Sequence, residues 1–198
     1  MKLIFLILLF TSFSVIADSN IAKTSEQSDT KQSQSEPIQS EQSQKIRYKK
    51  ALSLIANGDY TNAFTIFKSL AEEGNKYAQF RLSILYRLGK GTPVDKKKSF
   101  NWVLKSAQQG HAEAQFNLGI SYFNGKVMAK DNKLSYKWII RSARQGFAQG
   151  QVVTALNYCL GTGVVKDLKK CAYWAKKARN NGRDVDKLWT QFDLGKYQ

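Results

Sequence analysis

Between residues 75 and 182, apolar side chains return every three or four positions, in blocks that each close on glycine. That spacing lays them along one face of an α-helix. In AQFRLSILYRLG, the residues Ala78, Leu82, Leu85, Tyr86 and Gly89 share such a face. Gly89 and Gly91 then end the helix, because glycine tolerates the left-handed conformation of a C-terminal cap. Asp95 opens a second helix as its N-cap. Its carboxylate can accept from the free amides of the first turn and suits the positive helix end. Ser99, Trp102 and Ala107 face inward on this helix, and Gly110 closes the unit.

The unit then recurs. Tyr86, Tyr122 and Tyr158 lie 36 residues apart, as do Trp102, Trp138 and Trp174, and also Asp95, Asp131 and Asp167. Gly89, Gly125 and Gly161, then Gly110, Gly146 and Gly182, keep the same step, and Gln79, Gln115 and Gln151 complete the register. Three repeats follow, 75–110, 111–146 and 147–182. A fixed period of this length marks a stacked array of helix pairs. The fold class is therefore all-α. Repeated Tyr, Trp and Gly are core and turn positions rather than a stacking platform, so no nucleic acid partner is expected.

The flanks extend the pattern. In 46–74, Ala63, Phe67, Leu70 and Ala71 give a buried stripe, and Asp59 and Gly74 lie one period before Asp95 and Gly110. The long connecting loop is missing, which predicts a degenerate, tighter helix pair. In 183–198, Val185, Leu188, Trp189 and Phe192 follow helical spacing, predicting a short helix and tail that cover the open end of the stack.

The first 45 residues follow other rules. Residues 1–17, MKLIFLILLFTSFSVIA, have one charge, an apolar run and small residues at their end. They read as a signal peptide cut between Ala17 and Asp18, with a periplasmic or secreted destination. The run is short for a membrane anchor, and no later stretch is long enough to span a bilayer. Residues 18–45 are dominated by Ser, Gln, Glu and Lys, with no aromatic residue, and read as a disordered tether.

The resulting array, residues 46–198, carries 27 basic against 10 acidic residues. That excess favours an anionic neighbour such as an envelope component. Because the lysines recur on every repeat, a solvated lysine-rich surface is the plainer reading. Cys159 and Cys171 stand near the adjoining ends of an antiparallel pair, so a disulfide and two separate thiols both remain open.

The recurring residues resemble the Sel1-like repeat family, relatives of the tetratricopeptide repeat. The middle copy, AEAQFNLGISYFNGK and onward, matches its pattern almost column by column, and the last keeps GTGVVKDLKKCAYWAKKA. The resemblance covers 75–182 closely and 46–74 loosely. It implies a right-handed α-solenoid of antiparallel helix pairs that acts as a scaffold for protein or peptide partners. The middle copy departs at Val127, where the others have Gly91 and Gly163, which predicts a reshaped loop.

No catalytic or metal chemistry emerges, and no cofactor is expected. His111 is the one histidine, too few for a histidine-built zinc site. Gly119 to Lys126 imitates a phosphate loop but has the wrong glycine spacing and no Ser or Thr after the lysine. An enzyme acting on cell wall or β-lactams is the alternative, implied only by cysteine-rich members of the family. The candidate partner surface is the arc beside the core face of each first helix: Arg81, Leu85 and Leu88, then Asn117, Ser121 and Asn124, then Val153, Asn157 and Leu160. Turning 100° per residue puts each trio together. Their chemistry changes from repeat to repeat, which suits a ligand-facing surface.

Overall fold

The computed structural model describes residues 29–197, with side chains from Ser40 onward. The expected signal peptide, residues 1–17, and residues 18–28 lie outside the described residues. The chain divides into two units, 1–41 and 42–198. Helix α1 spans Asp29–Ala56, so the segment expected to be a disordered tether is helical from Asp29 on.

Within 42–198 the described residues form helices alone. The first pair is completed by α2 (Tyr60–Glu72). Three further pairs follow: α3 (Lys76–Leu88) with α4 (Lys96–Gln108), α5 (Ala112–Asn124) with α6 (Asn132–Arg144), and α7 (Ala148–Leu160) with α8 (Leu168–Asn180). The short α9 (Asp186–Gln191) and a 3₁₀ turn (Leu194–Tyr197) close the chain. Each helix packs against its successor from α2 to α8, as in a solenoid.

The local chemistry follows the sequence. Asp95, Asp131 and Asp167 all cap their helices, accepting from the amides of Lys98, Leu134 and Lys170 at 2.8 to 2.9 Å. Gly89, Gly125 and Gly161 take the left-handed C-cap. Trp174 is buried, whereas Trp102 and Trp138 are half-buried, with Lys105 and Arg141 lying over their rings at 4.4 and 4.6 Å. Val185, Leu188 and Leu194 bury against α8, so the C-terminal segment does cover the last apolar face.

The repeats are locked by a recurring clasp. Buried Gln79, Gln115 and Gln151 donate to the carbonyls of Ala71, Ala107 and Ala143, at 3.2, 3.2 and 3.4 Å. Each accepts in turn from a residue 30 positions on: Gln109, Gln145 and Asn181. The invariant glutamine column of the sequence is thus the joint between neighbours. Buried polar groups must be paired, and these pair across the interface between repeats.

Cys159 and Cys171 form a disulfide joining α7 to α8, with Cα atoms 5.3 Å apart and both side chains fully buried. Among the described residues no helix is long and apolar enough to cross a membrane.

Candidate functional site

A cleft opens where α3, α4 and α5 meet. Helix α3 supplies Phe80, Ser83, Ile84 and Arg87 to one wall. Helix α5 supplies Glu113, Asn117, Ile120, Ser121 and Asn124 to the other. Ser99 and Val103 of α4 form the floor of this lobe, which has a volume of about 420 Å³. A second lobe of about 220 Å³ continues toward the start of α4 and the following loop, adding Lys96, Phe100, Lys126 and Val127. Arg87, Ser99, Val103, Ser121 and Asn124 border both lobes.

The placement has a local cause. Successive first helices lie side by side, so the leading edge of one faces the trailing edge of the one before. The trailing edge of α3 carries Phe80, Ile84 and Arg87, and the leading edge of α5 carries Asn117, Ser121 and Asn124. The partner helix α4 closes the bottom with Phe100 and Val103, both almost fully buried.

Asn117, Ser121 and Asn124, expected from the sequence, thus line the cleft. The other six do not join them. On α3 the same arc faces the first helix pair. Leu85 is 3% exposed and packs in the core containing Phe67 and Ala51, and Arg81 donates to the Tyr48 hydroxyl at 3.4 Å. Leu88 is about half exposed at the helix end. On α7, Val153 is half-buried, Asn157 is 7% exposed and Leu160 is 59% exposed. Leu85 and Asn157 are therefore corrected: both are interior residues, covered by the neighbouring helices, and neither is open to a ligand. Phe80, Ile84 and Arg87 were missed because rotation about one helix gives its leading edge but not what stands opposite.

The cleft has a polarity. Among the described residues, neither Arg87, Lys96 nor Lys126 has a carboxylate within 4.0 Å, although six ion pairs form elsewhere. Glu113 is the one carboxylate on its lining and belongs to the larger lobe. Beyond it, the acids of the three repeats are Asp95, Asp131 and Asp167, all engaged as helix caps. Amide donation from Lys98 and Lys170 holds Asp95 and Asp167 below the usual carboxylate range.

His111 is a capping residue. Its Nδ1 accepts from the Ala114 amide at 3.2 Å, and its ring lies against Tyr77 and Phe80 at 5.1 and 4.9 Å. Burial, with Lys76 and Arg81 adding to it, pushes its pKa down to about 4, so the ring is neutral at physiological pH. Among the described residues no group of three or more His, Cys, Asp or Glu is placed to hold a metal ion.

Comparison with known proteins gives the array its relatives. No curated protein matches. Among solved structures, a Sel1 repeat protein from Oxalobacter formigenes is 30% identical with a TM-score of 0.63, over 66% of this chain and 54% of that one. The protein c5321, described as a protective antigen present in uropathogenic Escherichia coli strains and displaying an SLR fold, is 34% identical with a TM-score of 0.61. That match covers 63% of this chain and 27% of c5321. The chain thus spans about half the length of the first relative and about a quarter of the second. The Sel1 repeat profile matches residues 76–111, 112–147 and 148–182, and with its period, capping aspartates and repeat joints the chain belongs to the Sel1 repeat family, whose solenoids typically serve as protein-interaction scaffolds.

Proposed function

We propose that this chain is a non-catalytic scaffold that grips an extended peptide segment of a protein partner in the cleft between α3 and α5. The observation that carries the reading is the cleft itself. It has two adjoining lobes and a mixed lining, with apolar Phe80, Ile84, Phe100, Val103 and Ile120 beside the amides and hydroxyl of Asn117, Ser121 and Asn124. Such a mixture suits a peptide, which offers apolar side chains and backbone groups together. A hydrolase would need a nucleophile or a paired acid and base. The cleft lining has a single carboxylate, and both cysteines are bonded and buried far from nucleophilic use.

The partner is met outside the cytoplasm in this reading. The apolar leader of residues 1–17 supports export, and a buried disulfide suits an oxidising compartment. The double variant Ile84→Glu, Ile120→Glu tests the site, since both side chains are half-buried in the cleft wall. Titration with peptides selected from a randomised octapeptide pool should show binding to the parent chain and none to the variant, with circular dichroism unchanged. Equal binding by a folded variant would place the partner elsewhere.

A further inference from the structure

The smaller lobe of the cleft exists because one repeat breaks the pattern of its neighbours. Gly91 and Gly163, at φ +69° and +71°, seat their loops directly on the start of an earlier helix. A Cβ at Gly91 would lie 2.2 Å from the Tyr60 carbonyl oxygen, and one at Gly163 would lie 1.9 Å from that of Asn132. Moving by one period puts Val127 in the glycine's place and Lys96 in the acceptor's. Valine cannot take that seat, since its Cβ would occupy the carbonyl's space and it disfavours positive φ.

The loop responds locally. Its far end stays pinned, for the Asp131 amide donates to the Tyr122 carbonyl as Asp95 does to Tyr86 and Asp167 to Tyr158. Its near end does not: Lys90 and Thr162 donate to Leu85 and Asn157, whereas no matching bond from Lys126 to Ser121 forms among the described residues. Val127 has no positive φ. The gap left between Val127 and Lys96 is the lobe of about 220 Å³.

We infer that Val127 is a specificity-determining residue, holding open a pocket for an acidic peptide in which a carboxylate adjoins a large apolar side chain. This rests on the peptide-binding reading above. Phe100 and Val103 give the pocket an apolar floor, and its rim carries Arg87, Lys96 and Lys126, without an acidic partner of their own. Charge complementarity calls for an anion, and the floor calls for a neighbouring apolar group.

The test selects a randomised octapeptide pool on the full chain. Enriched peptides should share an Asp or Glu beside Leu, Ile or Phe. The strongest is then titrated against Val127→Gly, which lets the loop settle into the glycine seat, and against the triple variant Arg87→Gln, Lys96→Gln, Lys126→Gln. Each should weaken binding by roughly tenfold or more, the scale of losing one buried side chain or its charge partners. Lys97→Gln, Lys133→Gln, Lys169→Gln removes equal charge from exposed columns and should leave binding unchanged. The triple glutamine variants alter exposed side chains and keep the test open if Val127→Gly fails to fold. Selected peptides without an acidic preference, or full binding by both cleft variants, would overturn this inference while leaving the scaffold reading intact. A pool that yields no binder, or binding only to phosphatidylglycerol vesicles, would overturn both.

Discussion

Replacing Gly163 with alanine is a direct measure of how tightly a repeat loop is seated. At φ +71° any L-residue is strained, by about 1 kcal/mol. The added methyl would also stand 1.9 Å from the Asn132 carbonyl oxygen, 2.6 Å from its carbon and 3.1 Å from the Tyr136 Cβ. None of these is the far end of a flexible side chain, so the loop itself must lift. Overpacking of this kind costs about 1–3 kcal/mol. Gly182 supplies the control: its φ is +74°, and nothing lies within 4 Å of its would-be Cβ. Gly182→Ala therefore carries the backbone term alone, and Gly163→Ala should be less stable than it by about 2 kcal/mol. In a domain of this size that separates their melting temperatures by roughly 4–8 °C. Urea titration of the oxidised proteins, followed by far-ultraviolet circular dichroism and tryptophan fluorescence, reads the difference. Equal losses, within about 0.5 kcal/mol, would show that the loop does not rest on α6 and would remove the explanation given for the cleft's smaller lobe.

Three further outcomes are expected. Reducing the Cys159–Cys171 bond, which closes a 12-residue separation, should lower stability by about 3 kcal/mol, visible as a drop in melting temperature with reductant once mass spectrometry confirms two thiols; an unchanged melt would refute it. Gln115→Ala removes a donor to the Ala107 carbonyl and an acceptor for Gln145, and should destabilise by about 1–2 kcal/mol; a neutral result in urea titration would show that the clasp contributes nothing. His111 has a folded pKa lowered from 6.5 to about 4, so the unfolded chain takes up its proton first; its contribution is complete above pH 6.5 and is lost as pH falls toward 4. A proton NMR titration of the ring should show a midpoint near 4, and a midpoint near 6.5 would contradict its burial.

The repeat was legible because its features are local and recur. Asp95 announces a cap through its place before a lysine-rich helix start, and the same residue type returns at 131 and 167. The disulfide was half legible: adjoining helix ends brought the two cysteines within range, but the rotation of Cys159 could only be seen in three dimensions. Of the residues that line the cleft, Asn117, Ser121 and Asn124 of α5 were among the set expected from the sequence and those of α3 were not. The turn angle of one helix identifies Asn117, Ser121 and Asn124 as a set, yet Phe80 and Arg87 join them only through the lateral register of two helices. Leu85 shows the converse, since its column looks variable and its own neighbours, Ala51 and Phe67, come from a pair with a different loop. The helical start at Asp29 left no apolar stripe to detect.

The glutamine joints reach only from one repeat to the next, so they give the described residues no stitch that spans the array. A protein joined in that way opens like a zip, from whichever end is weaker. Here one end is sewn: the disulfide ties α7 to α8, and α9 folds over them. Helix-by-helix loss under a protease or a pulling force therefore has a direction, running from the α1 end toward the bonded pair. The bond keeps α7 and α8 covalently paired through the last step of such a loss. Redox state would then set which fragment survives an encounter with a protease, quite apart from what the cleft holds.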